Sequence, residues 1–369
     1  FFLMLRRPPR STLHRAAAAS DVYKRQVVEE VRDEILDFDG TGMSIIEASH
    51  RAAAYDAVHM NALADFRSLA AVPDDYAILF LQGGAALQFA QVPMNLLAEG
   101  ETAGYVNTGT WGKKALGDAK KIADVYEAWT DADGAFDRMP TAGEIEVRDG
   151  ARYVHLTSNE TIGGIRFTDL PSFDVPLVTD MSSDFLSRAI DWDAHDLVYG
   201  GAQKNLGPAG LAVVVVRRDR LSTHGRSLAS YLDYATHESY DSMSNTPPMF
   251  AIYVMGKVLR WMLAEGGLSA FETRAAERAS ILYDAIDDSD GWYRCPVDEA
   301  SRSQMNIVFH LPDEGLEQRF VAEAAEAGMV NLKGHRSVGG IRASVYNALP
   351  VGSVRTLVEF MDEFRSANG

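Results

Sequence analysis

Lys204 stands in the segment Tyr199-Gly200-Gly201-Ala202-Gln203-Lys204-Asn205-Leu206-Gly207-Pro208-Ala209-Gly210, directly before the aliphatic run 211–216. Lysine ordinarily belongs on the surface. One hemmed in by small residues at the end of a buried strand is an unusual use of charge. A primary amine there can form a Schiff base with an aldehyde cofactor. A solvated lysine in a Gly-rich turn would be the better explanation if this segment stood alone.

Four other loops bring groups that suit the same chemistry. Asp180 ends the apolar stretch Leu177-Val178-Thr179-Asp180. An acid at a strand's C-terminal end lies where open α/β sheets bind ligands. Facing a pyridine nitrogen, it would keep that nitrogen protonated and make the ring an electron sink. Taken alone, Asp180 reads more simply as a helix cap. Gln82-Gly83-Gly84-Ala85-Ala86-Leu87 runs from a strand into a helix, where small residues and free N–H groups suit an anion; many such loops bind nothing. Trp111 follows Asn107-Thr108-Gly109-Thr110 and could stack on a planar ring, although a lone tryptophan is more often core. Thr161, in Asn159-Glu160-Thr161, could bond a ring hydroxyl or merely close a turn. Together, a lysine, an acid, an aromatic and an anion-binding turn form the inventory of a pyridoxal 5′-phosphate (PLP) site. A dinucleotide site would instead show G-x-G-x-x-G, and the 83–88 segment lacks that spacing.

The elements that must position these loops alternate in type. Helical periodicity covers Val27, Val28, Val31, Ile35 and Leu36, and again 52–71, stopped by Pro73. Strands are expected at 77–81, 103–107, 123–126, 153–156, 177–180, 197–199 and 211–216. Helices are expected at about 87–97 and after Trp111. That alternation indicates βαβ units and a mainly parallel sheet, an α/β fold. Long amphipathic helices follow at 250–264 and 268–286. The tail then reads strand 305–310, helix 316–327, strand 340–346 and helix 351–365, a small α+β domain. The boundary is set near Gly266-Gly267, giving a large domain over 27–266 and a small one over 267–369.

With 369 residues the chain can hold two such domains. Its formal net charge of -17 argues against a general nucleic-acid or acidic-membrane binder, since phosphates would be repelled. An anionic substrate would need a local cluster of cations. The aliphatic runs are too short to span a bilayer. Cys295 is the only cysteine, so no intrachain disulfide forms, which fits a reducing compartment such as the cytoplasm. Residues 1–26 differ from the rest, with six Lys/Arg and a single acid, Asp21. A transit peptide or a basic tail would have this balance. The preferred reading is that the segment is foreign to the natural protein, because 3–13 and 20–26 look like translated sequencing-adapter read-through.

From about residue 27 to the last, the chain resembles the PLP-dependent class V aminotransferases of fold type I. The resemblance rests on Ser49-His50-Arg51, Gly109-Thr110-Trp111, Asn159-Glu160-Thr161, the 200–210 segment, Asn245-Thr246-Pro247-Pro248, and residues 332–344 with His335, Arg336 and Arg342. It implies a seven-stranded-type, mainly parallel sheet flanked by helices, plus the small C-terminal domain. It implies that Lys204 holds PLP covalently, Asp180 pairs with the ring nitrogen, Trp111 stacks and Thr161 bonds the ring 3′-oxygen. Ala85, Ala86 and Gln203 would bind the cofactor phosphate, with Asn245 and Thr246 reaching it from the neighbouring subunit of a homodimer. Arg342 would clamp the substrate α-carboxylate. His335 and Arg336, with His50 and Arg51 of the partner subunit, would hold the distal anionic group. Arg suits that task by its bidentate fork, although a pair of His-Arg dipeptides also arises by chance. The implied reaction is amino transfer between L-glutamate and a phosphorylated 2-oxo acid. No metal is implied.

One departure stands out. The family's Ser-x-Gly-Pro-type loop is replaced by Ala18-Ala19-Ser20, inside the foreign-looking segment. A PLP-binding protein without turnover is therefore an alternative. An alanine–glyoxylate type transaminase is another, although it would not need two His-Arg pairs. A cysteine desulfurase would have only Cys295, beside Pro296 and outside the motif cluster.

Overall fold

The computed structural model describes residues 25–222 and 225–369. Of the segment expected to be foreign, residues 1–24 lie outside the described residues, while Arg25 and Gln26 open the first helix. The elements run α1 (Arg25–Glu34), α2 (Ala53–Ala70), β1 (Tyr76–Gln82), α3 (Gly84–Leu96), β2 (Thr102–Asn107), α4 (Thr110–Ala119), β3 (Tyr126–Thr130) and β4 (Ala151–Thr157). A small hairpin, β5 (Asn159–Glu160) and β6 (Ile165–Arg166), precedes β7 (Leu177–Asp180), β8 (His195–Gly201) and β9 (Leu211–Arg217). Then come α5 (Tyr234–Ser239), α6 (Met249–Ala264), α7 (Gly267–Asp287), β10 (Asn306–Phe309), α8 (Glu314–Glu326), β11 (Ile341–Ser344) and α9 (Val351–Asn368).

Seven strands form one sheet in the order β1-β9-β8-β7-β4-β2-β3. β9 runs antiparallel to both neighbours, and the other pairs are parallel. The expected mainly parallel seven-stranded α/β fold is borne out. Its central strands read as continuous aliphatic runs because both faces are covered. Strand alternation sends Ile78, Phe80, Val198, Val213 and Val215 to one face, against α2 and α6 residues such as Phe66, Ile252 and Val258. Ala77, Leu79, Leu197, Val214 and Val216 face the other way, onto Phe89 and Val92 of α3 and Leu116 of α4. Each fully buried side chain of this size contributes roughly 1.5–3 kcal/mol. Gly266, at φ 105, caps α7 and turns the chain out of α6. Beyond it, Leu282, Phe309, Phe320, Leu357 and Phe364 gather in an apolar cluster of their own.

The register explains where the site must be. Thr157 pairs with Asp180, Asp180 with Tyr199, Gly201 with Ala212, and Gln82 with Leu211. All these positions lie at one sheet edge, the C-terminal edge of the parallel strands, where loops can converge on a ligand. Two local expectations shift. α3 starts at Gly84 rather than near 87, since Gly83 at φ 92 makes the left-handed turn that lets the helix begin at once. The strand expected at 123–126 is observed as Tyr126–Thr130. Val125 packs with the α3–α4 core instead, and β3, at the sheet edge, alternates between buried and exposed positions.

Candidate active site

Lys204 sits in the tight turn after β8, which closes through Ala202 N–H to Leu211 O at 2.9 Å and Gly207 N–H to Ala202 O at 2.7 Å. Its Nζ donates to Thr161 Oγ1 at 2.6 Å and to Ser183 Oγ at 2.7 Å. Two hydroxyls are weak compensation for a buried ammonium. Burial accordingly pushes the Lys204 pKa down to about 8, against the pull of Asp180, Glu160 and Asp184 and helped by Arg342. A lysine so tuned offers a free amine within reach of neutral pH.

Asp180 is buried at the end of β7, and its Oδ1 accepts from Ser182 N at 2.9 Å and Ser182 Oγ at 2.6 Å. Burial raises its pKa, while the Ser182 bonds and Lys204 lower it. A further cation beside it would favour the carboxylate. Both hydrogen bonds fall on Oδ1, so Oδ2 is left for a ligand.

Lys204 and Asp180 share a cavity of about 310 Å³ with Gly83, Gly84, Ala85, Ala86, Trp111, Thr157, Asn159, Ser183 and Gln203. The cavity's glycine loops are tied together by Gly83 N–H to Gly210 O at 3.1 Å. Trp111 opens α4, and Lys204 Nζ lies 5.7 Å from its ring centroid. Inside this cavity Thr157 Oγ1 and Trp111 Nε1 are buried without a hydrogen-bond partner. Orphaned polar atoms in a buried cleft call for a ligand. An amine, an opposed acid, a flat aromatic and the free amides at the start of α3 suit a phosphorylated pyridine aldehyde, so the residues fit PLP.

The expected site residues fall into three groups. Lys204, Asp180, Trp111, Ala85, Ala86 and Gln203 line this cavity, while Thr161 is not among its lining residues and accepts from the amine. Arg342 lies on β11 with its Nε buried and unpartnered, and it bears on Lys204 electrostatically. His335 and Arg336 lie in the turn before β11, pinched shut by Gly334 N–H to Gly340 O at 2.8 Å. His50 and Asn245-Thr246 are set apart from the cavity lining, and they lie together: Thr246 Oγ1 is 3.4 Å from His50 Nδ1. Arg51 is exposed beside them in sequence. Thr246 O also accepts from Gln82 at 3.1 Å, just before Gly83. Sequence reasoning missed Thr157, Ser182 and Ser183, whose hydroxyls have no spacing signature. It also left Glu160 without a part. Glu160 is 1% exposed and accepts from Trp111 N at 3.0 Å and Gly112 N at 2.8 Å. Burial pushes it up to about 7 despite those amides and Lys204.

Fold and cavity together suit a PLP-dependent protein, and comparison with known proteins gives its kinship. The family model "Aminotransferase class-V" matches residues 14–357. The chain belongs to the class-V aminotransferases. It is 48% identical over 358 residues to a phosphoserine aminotransferase of Laribacter hongkongensis, covering 97% of this chain and 100% of the relative. The solved phosphoserine aminotransferase of Bacillus circulans subsp. alkalophilus superposes with a TM-score of 0.91 at 48% identity, over 94% of this chain and 96% of that one. A PLP-bound phosphoserine aminotransferase from Trichomonas vaginalis matches at TM-score 0.87 and 35% identity, over 91% and 96% of the two chains.

Proposed function

We propose that this chain is a phosphoserine aminotransferase, moving the amino group of L-glutamate to 3-phosphohydroxypyruvate to give O-phospho-L-serine and 2-oxoglutarate. One observation carries the reading: 48% identity along the whole length of a phosphoserine aminotransferase. A cytoplasmic, homodimeric enzyme of serine synthesis goes with it. Among the described residues no helix is long and apolar enough to cross a membrane.

PLP, when bound, supplies an aldehyde carbon for amine exchange and a ring that withdraws electrons from the reacting carbon. Lys204 Nζ would hold it covalently, then, once displaced by the substrate amine, take the proton from the substrate Cα and return it to the cofactor carbon. The hydroxyls of Thr161 and Ser183 keep that amine aimed between strokes. Asp180 Oδ2 would face the ring nitrogen and hold a proton there. Trp111 would cover one ring face. Ala85, Ala86 and Gln203 would meet the phosphate at the start of α3, joined by Asn245 and Thr246 of the partner subunit. Arg342 would grip the α-carboxylate, since its buried Nε has no protein partner. His335 and Arg336, with His50 and Arg51 of the partner subunit, would receive the distal phosphate or carboxylate.

A division near Gly266-Gly267 would give the small domain Arg342, His335 and Arg336, and the large domain the amine together with the His50 and Arg51 that would serve the partner. One site serving both substrates in turn requires ping-pong kinetics. Steady-state rates with glutamate and 3-phosphohydroxypyruvate, on the PLP-loaded chain, test the reading. Parallel double-reciprocal lines and no comparable turnover of glyoxylate are expected. Bound PLP without turnover, or a preference for glyoxylate, would overturn it.

A further inference from the structure

Gly109, the N-cap of α4, has φ 152 and no side chain with which to cap the helix. A Cβ there would lie 3.1 Å from the carboxyl carbon of Glu160. The cap is supplied from outside instead. Glu160 crosses from the β5–β6 hairpin and takes the amides of Trp111 and Gly112, two of the donors every helix start leaves open. Serine or aspartate, the usual caps, would be strained at this positive φ and crowded by Glu160, so the acceptor has to come from another element. Burying a carboxyl group is expensive, and among the described residues it is bonded by these amides and by no cation. The hairpin explains what is gained. Asn159 lines the cavity, Glu160 holds the backbone of Trp111, and Thr161 holds the Lys204 amine at 2.6 Å. Three consecutive residues thus set the heights of the cavity wall, the aromatic ring and the amine against one another.

Resting on the PLP reading above, we infer that Glu160 is a positioning residue, which fixes the Trp111 ring at the level of the Lys204 amine so that the cofactor ring enters a slot of set width. It acts through the α4 N-terminus rather than by touching the cofactor. Any acceptor of the same length keeps the geometry, so Glu160→Gln should behave nearly as the parent, whereas Glu160→Ala removes the tie on the first turn of α4 that carries Trp111.

The test is PLP titration of the apo chain, followed by tryptophan fluorescence and by the induced dichroism of the bound cofactor. It is run on the parent, Glu160→Ala and Glu160→Gln, and on Trp111→Ala with and without Glu160→Ala. Glu160→Ala is expected to weaken PLP about tenfold, the scale of losing a charge-assisted hydrogen-bond pair, and to diminish the induced dichroism. Glu160→Gln should stay within about threefold, because its amide oxygen still accepts both bonds. In the Trp111→Ala background the Glu160→Ala effect should fall below about threefold, the signature of residues acting as a unit. Losses that are equal with and without the Trp111 ring, or a Glu160→Gln as damaged as Glu160→Ala, would overturn the inference. Should Glu160→Ala fail to fold, Glu160→Asp, which draws the carboxylate back by one methylene, takes its place in the same cycle. A parent chain that takes up no PLP overturns the functional reading itself; normal uptake with additive losses overturns this inference alone.

Discussion

At the scale of the residue, the chemistry turns on how a buried amine is kept from being a permanent cation. Desolvation lowers the Lys204 pKa to about 8. Below that value the ammonium predominates and cannot attack an aldehyde; above it the free amine does. The rate at which the apo chain captures PLP should therefore rise with pH through about 8 and level off above it, as stopped-flow absorbance would record. A rate flat across that interval would contradict the assignment. That Lys204 and Asp180 share one cavity was legible because Asp180 ends β7 and Lys204 follows the end of β8, its neighbour in the sheet, so both fall at one sheet edge. Glu160 was not. Its role depends on a helix start that approaches it from some fifty residues earlier in the chain, and nothing in Asn159-Glu160-Thr161 announces that neighbour. Thr157 and Ser183 were hidden for a similar reason, since a hydroxyl's value lies in what the fold places beside it.

At the scale of the element, α4 is held as tightly against the sheet as against Glu160. A Cβ at Gly112 would meet Val106 O at 2.9 Å and Asn107 Cα at 3.3 Å, both backbone atoms of β2 that cannot swing away. Gly112→Ala should cost about 1–3 kcal/mol, the usual cost of overpacking, read as a lowered thermal midpoint. It should also weaken PLP, because Trp111 shifts with the helix. An unchanged midpoint and affinity would mean that α4 is free to move. The elements themselves were largely readable where burial is two-sided, as in the run 211–216, every residue of which is fully buried. They were less so at margins. β3 is half-exposed and carries no apolar run, so Ala123 and Val125 just before it drew the expectation toward themselves. The early start of α3 depended on the φ of one glycine.

At the scale of the whole molecule, an acidic body of net charge -17 must receive substrates that are themselves anions. Arg342 on β11 bears electrostatically on Lys204, and His335 and Arg336 lie in the turn before that strand, while His50, with Arg51 next to it in sequence, lies beside Thr246 as a separate set with Asn245. If that second set serves the partner's cavity, Lys204→Ala and Arg51→Ala chains, each inactive alone, should regain measurable transamination after being mixed, unfolded and refolded together. No recovery in a verified mixed dimer would confine the site to one chain. The expectation of a two-chain site comes from the resemblance alone; composition and periodicity carry no sign of it. All three scales converge on a single covalent bond. Borohydride reduction of the PLP-loaded chain, followed by proteolysis and peptide mass spectrometry, should find the pyridoxyl mass on Lys204. The same mass on another lysine, or none at all in a chain that has bound PLP, would contradict the account.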